Sequence, residues 1–203
     1  MKTKTKALAL ALCAVLLVVS TVFVTMAYLT SQDSVTNTFT VGKVTITLDE
    51  ADVDNSKTDT TTEGRDKANE YHLIPGHTYD KDPTIHVADN SEDCWLFVTV
   101  KNGLLNAEDA SGNTIAKQME ANGWEKVTGA TVDGIDVYAH TAKQSAGADV
   151  TVFKNFKIAG TTDVSLYEDA EIVVTAYAIQ ADGFATAAAA WAEAPSDWET
   201  PAN

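Results

Sequence analysis

The sequence predicts an all-β protein, an Ig-like or jelly-roll β-sandwich with two short helices, preceded by a signal-peptide helix. Three observations predict it. Short stretches that alternate apolar and polar residues recur along the chain, the period of a half-buried strand. Clusters of Pro, Gly, Asn and Asp punctuate them. Helical spacing appears at only two places beyond the apolar N-terminal run.

That run opens the chain. Lys2, Lys4 and Lys6 make a basic start, and Ala7 to Val24 is apolar except for Ser20 and Thr21. Thr25-Met26-Ala27 places a small residue where a signal peptidase cuts, so cleavage is expected between Ala27 and Tyr28. No charge occurs from Ala7 to Gln32, so an uncleaved segment is also long enough to anchor in a bilayer. The expected organisation is a signal peptide over 1–27, an N-terminal segment over 28–42, a sandwich domain over 43–194 and a tail over 195–203. All 29 acidic residues follow Ala27, whereas three of the 14 basic ones precede it, so the processed chain carries a formal charge of −18. Such a charge repels nucleic acid and anionic lipid, and neither is expected as a partner. Any membrane contact is expected only through an uncleaved signal segment.

Val44, Ile46 and Leu48 alternate with Thr45, Thr47 and Asp49 and predict the first strand. From Asp49 to Asn69 apolar residues thin out, which predicts an exposed, mobile loop. Leu73-Ile74 reads as a strand end before the Pro75-Gly76 turn, and Thr84 to Val87 as another strand before the turn cluster Asp89 to Asp93. Trp95 to Lys101 is aromatic and β-branched on both faces and predicts a central strand. Cys94, the only cysteine after the signal, excludes an internal disulfide and reads as a buried strand residue. Ile115 and Met119, with Gly123 behind them, predict a short helix over 114–122. Strands are predicted over 124–128, over 135–140 behind the Val132-Asp133-Gly134 turn, over 150–158 and over 171–180. Asp182 is placed to cap a last helix with Phe184, Ala188 and Trp191 on one stripe, ended by Pro195.

Catalytic signatures are sparse. The four histidines, His72, His77, His86 and His140, form no H-E-x-x-H, and no G-x-S-x-G or phosphate-cradling glycine loop occurs. His72 and His77 flank a turn and make the one histidine pair a metal could use, with Glu70 or Asp80 nearby. Asp52, Asp54, Ser56, Thr58, Thr60 and Glu63 fall at calcium-loop spacing across the 52–63 acidic loop, but Lys57 stands where the sharp turn needs glycine. No cofactor is expected, and the expectation is a structural or interaction protein rather than an enzyme. Trp191 and Trp198 are the residues from which an exposed aromatic groove for a sugar or host ligand could be built.

The stretches "MAYLTSQDSVTNTFTVGKVTITL", "YHLIPGHTYDKDPTIHV", "SEDCWLFVTVKN" and "EIVVTAYAIQADGFATAAAAWAEA" resemble, in that order, the TasA/camelysin family of Gram-positive bacteria. The resemblance implies export through a SipW-type signal peptidase, a β-sandwich, and an extracellular fibre subunit of the biofilm matrix or cell surface. It also implies head-to-tail self-assembly in which the N-terminal segment of one copy adds as a strand to the next. Val35, Phe39 and Val41 would then be the contacts of the donated strand, alternating with Thr36, Thr38 and Thr40. The same residues read equally as the first strand of their own sheet. Camelysin itself is described as a casein-degrading metalloprotease, an activity for which this chain shows no zinc motif.

Overall fold

The computed structural model describes residues 3–29, 42–54 and 64–199. It divides into two compact units, Met1–Thr40 and Val41–Asn203. In the first, helix α1 spans Thr3–Leu29, so the expected cleavage point between Ala27 and Tyr28 falls within its last turn. Among the described residues, no helix is long and apolar enough to cross a membrane.

The second unit is mainly antiparallel β-sheet. Its strands are β1 (Ile46–Ala51), β2 (Arg65–Asp66), β3 (Thr78–Asp80), β4 (Thr84–Val87), β5 (Cys94–Asn102), β6 (Trp124–Val132), β7 (Ile135–His140), β8 (Asp149–Thr151), β9 (Asn155–Lys157) and β10 (Ile172–Gln180). One four-stranded sheet runs β2-β1-β4-β8, a second runs β10-β5-β7-β6, and β3 pairs with β9. Helix α2 spans Ile115–Ala121 and α3 spans Ala187–Trp191.

The period-two patterns account for how these strands meet. Ile85 and Val87 of β4 share one buried cluster with Leu96 and Val98 of β5, and with Phe153, Phe156 and Ile158. Ile172, Val174, Ala176 and Ala178 of β10 pack onto that cluster, while Tyr177 and Ile179 pack onto a second one. The second cluster centres on Trp95, Phe97 and Val137 and lies under α3. Strand β5 serves both clusters because it is central and its first six residues are all buried. The hairpin β6-β7 turns at Asp133 and Gly134, with φ of 51° and 76°, the pair of left-handed residues that matches strand twist. Thr114 caps α2 by accepting a hydrogen bond from the Lys117 N–H, and Gly123 leaves the helix at φ 83°.

Several sequence expectations need correction. The segment 49–69 is not a loop throughout. Asp49 and Glu50 are 3% and 4% exposed and continue β1, where Asp49 pairs with Thr84 of β4 and Glu50 with the fully buried Asp66 of β2. Basic side chains distant in sequence neutralise this acidic stretch. The stretch 150–158 is two strands in two sheets: the chain bends over 152–154, burying both Val152 and Phe153, so that β8 pairs with β4 and β9 with β3. Strand β6 extends four residues further than predicted. No strand forms at Leu73-Ile74; it begins after the turn, at Thr78. The last helix is capped by Thr186 rather than Asp182, because Gly183 at φ 88° breaks any helix begun earlier. Ala190 is therefore its buried residue and Ala188 is exposed.

Candidate functional site

Each four-stranded sheet has two edges, and three of the four are blunted. β2 is two residues long and β8 three. β6 carries Glu125 and Lys126, and its register with β7 slips between Lys126 and Thr131. Short length, charge and bulging are the devices that stop an edge from accepting another strand. β10 has none of them. Its nine residues, IVVTAYAIQ, hold no charge and no proline. It pairs with β5 without interruption from Ile172 opposite Asn102 to Gln180 opposite Cys94. Among the described residues no strand covers its other side. Val173 is 42% exposed on β10, and Leu105 and Leu166 are exposed large apolar residues in the preceding connections.

A second feature is an ionic cluster around Asp49, whose side chain is 2% exposed. Arg65, the chain's only arginine, forms an ion pair through Nε with the Asp49 carboxylate, and its Nη2 donates to the Asp49 carbonyl at 3.2 Å. The guanidinium also donates to the Asp82 carboxylate and carbonyl, each at 3.2 Å. Lys81 pairs with Glu50 at 2.5 Å, and Asn69 donates to Glu50 at 2.9 Å. His86 on β4 contacts Asp49 of β1 through Nε2 at 2.9 Å and Asp149 of β8 through Nδ1 at 2.6 Å. Ionised carboxylates only accept hydrogen bonds, so both ring nitrogens must carry protons to satisfy both contacts. Burial lowers the pKa of His86, but the hydrogen bonds to Asp49 and Asp149 outweigh it and the net shift is upward. The imidazolium thus ties three adjacent strands. Tyr71 lies beside this cluster, and burial together with Glu50, Asp54, Asp82 and Asp80 raises its phenol pKa.

The residues singled out from the sequence are dispersed. Val35, Phe39 and Val41 lie outside the described residues, as does most of the 52–63 loop. At the base of that loop, Asp54 accepts from the Glu70 N–H at 2.5 Å, and Asn69 accepts from the Val53 N–H at 2.8 Å. His72 and His77 are exposed; the His72 carbonyl accepts from the Tyr79 hydroxyl and the His77 ring packs on Tyr79 at 5.8 Å. Among the described residues no group of three or more His, Cys, Asp or Glu could hold a metal ion. Cys94 is buried, and burial with the nearby Asp93 pushes its thiol up to about 11, the reverse of an activated nucleophile. Trp191 packs against Phe97 at 4.9 Å, the helix-to-sheet contact its stripe implies. Nothing local in the sequence marks the ionic cluster except a lone arginine inside an acidic stretch.

No known protein family, curated protein or solved structure matches this chain.

Proposed function

We propose that the chain is an exported structural protein that builds fibres in the extracellular matrix or on the cell surface. In this reading the two four-stranded sheets are the layers of an Ig-like or jelly-roll sandwich. A SipW-type signal peptidase removes the residues through Ala27. The segment 28–42 of one copy then adds to β10 of the next, with Val35, Phe39 and Val41 packing beside it. The resulting contact is head-to-tail and does not close on itself, so it propagates as a filament.

One observation carries the proposal: among the described residues β10 is a nine-residue, uncharged edge strand, while the other sheet edges are short, charged or bulged. A donated strand there gains main-chain hydrogen bonds along its length. The test is electron microscopy of two purified proteins, one starting at Tyr28 and one at Lys43. Fibres from the longer protein with a folded, monomeric shorter one support strand donation. Two monomers, the shorter merely less stable, would mean that 28–42 completes its own sheet and that the fibre reading fails.

A further inference from the structure

The outer face of β6 and β7 carries a groove of about 990 Å³, at the upper end of the roughly 300–1,000 Å³ typical of small-molecule sites. One wall comes from an irregularity in β6. Lys126 pairs with Tyr138 and Thr131 with Asp136, so four residues, Val127 to Ala130, face the single residue Val137. Four residues cannot all pair with one, so this bulge offers main-chain groups to whatever fills the groove. The other wall is α3 and its flanks, where a run of alanines keeps side chains small. Trp95, Trp191 and Trp198 add three indoles to the lining. Trp198 leans on Tyr177 at 4.9 Å and on Trp191 at 5.8 Å, which holds its ring in place.

The electrostatics of the lining narrow the ligand. Its ionisable side chains are Glu125, Lys126 and His140. Lys126 is paired with Asp136 at 2.6 Å, and His140 Nδ1 lies 2.9 Å from the Ala142 carbonyl. An anion finds no free cation in this lining, and the acidic chain around it adds repulsion. A β-strand is disfavoured by the bulge. A lipid tail would desolvate the hydroxyls of Thr128, Thr131 and Thr141 without offering them a hydrogen bond. A sugar chain meets each of these conditions: it is neutral, its ring faces stack on indole, and its hydroxyls bond to threonines and open backbone.

We propose that this groove binds a neutral oligosaccharide chain. The site is separate from the β10 edge and does not depend on fibre formation. The experiment titrates the protein starting at Tyr28 with cellohexaose, chitohexaose and maltohexaose, three neutral glycan scaffolds, following tryptophan fluorescence and heat. Saturable binding of at least one is expected. Trp198→Ala should weaken it by about tenfold, as loss of one stacking face predicts. Ala188→Gln, at an exposed position on the groove wall, should also weaken it while leaving the fold intact by circular dichroism. Absence of saturable binding to all three glycans overturns the proposal, as does binding that both variants leave unchanged.

Discussion

Replacing Arg65 by methionine tests whether the ionic cluster holds β1 and β2 in the fold. The substitution keeps the aliphatic stem and removes a guanidinium that contacts Asp49 and Asp82 through four hydrogen bonds. Breaking a fully buried ion pair by removing one partner costs about 3–5 kcal/mol, because a charge stays buried without its counterion. Two features reduce that figure here. The Arg65 side chain is 22% exposed, so water can reach part of the vacated space, and His86 still answers part of the Asp49 charge from 2.9 Å. A loss of about 2–3 kcal/mol is therefore expected, or a fall in Tm of roughly 5–10 °C for a chain of this size. Thermal melts at pH 7 of the protein starting at Tyr28 provide the assay. A double-mutant cycle isolates the pair: in an Asp49→Asn background the cost of Arg65→Met should shrink by at least half. A fall below 2 °C, or a cost unchanged in that background, would refute the argument that Arg65 compensates buried Asp49.

His86→Gln should make stability less dependent on pH. The folded pKa of His86 is raised, so its contribution is fully present below the unfolded value near 6.5 and is lost as pH rises through the folded value. The gap in Tm between wild type and variant should thus be larger at pH 6 than at pH 9. The His86 side chain is 29% exposed and its partner Asp149 is 68% exposed, so water screens part of the bridge and the gap should correspond to no more than about 1 kcal/mol; an equal gap at both pH values would contradict the bridging role. Val173→Glu places a carboxylate on the β10 edge opposite Lys101, so the monomer should melt as wild type while fibre yield by light scattering falls severalfold. Fibres unaffected by that charge would exclude β10 as the acceptor. Copies carrying a formal charge of −18 after processing (11 basic against 29 acidic residues) should assemble faster at high salt or mildly acidic pH, and rates indifferent to both would show that charge does not limit assembly. Thr114→Ala removes the oxygen that caps α2 and should cost about 1 kcal/mol in a denaturant melt.

What could be read from the sequence was local. The Asp133-Gly134 turn, the short helix α2 with Gly123 behind it, and the two-sided apolar pattern of β5 each rest on neighbouring residues, and each is found in the structure. The failures share a different cause. Asp49 and Glu50 look like loop residues because their partners lie far along the chain: Arg65 at 16 positions, Lys81 at 31 and His86 at 37. Short-range periodicity carries no information about pairing at that range, so buried carboxylates read as solvated ones. The split of 150–158 was hidden for a related reason: Val150, Val152, Phe156 and Ile158 keep the period of a single strand, and the distant partners β4 and β3 decide which sheet each half joins.

The same limit applies to β10, where it bears on function. Its composition is plain in the sequence, and nine uncharged, β-prone residues read most simply as a buried central strand. Only topology places it at an edge. Composition suited to an interior and position at a margin are in conflict for an isolated chain, since nothing on β10 discourages pairing. The conflict disappears if the edge is covered when the protein works. A strand from a second copy would do so, and it would explain why β6, at the opposite edge of the same sheet, keeps its bulge and charges while β10 has neither. With strand donation as proposed, the two edges of one sheet would have different tasks: one kept free of strands, and the other left open to receive one.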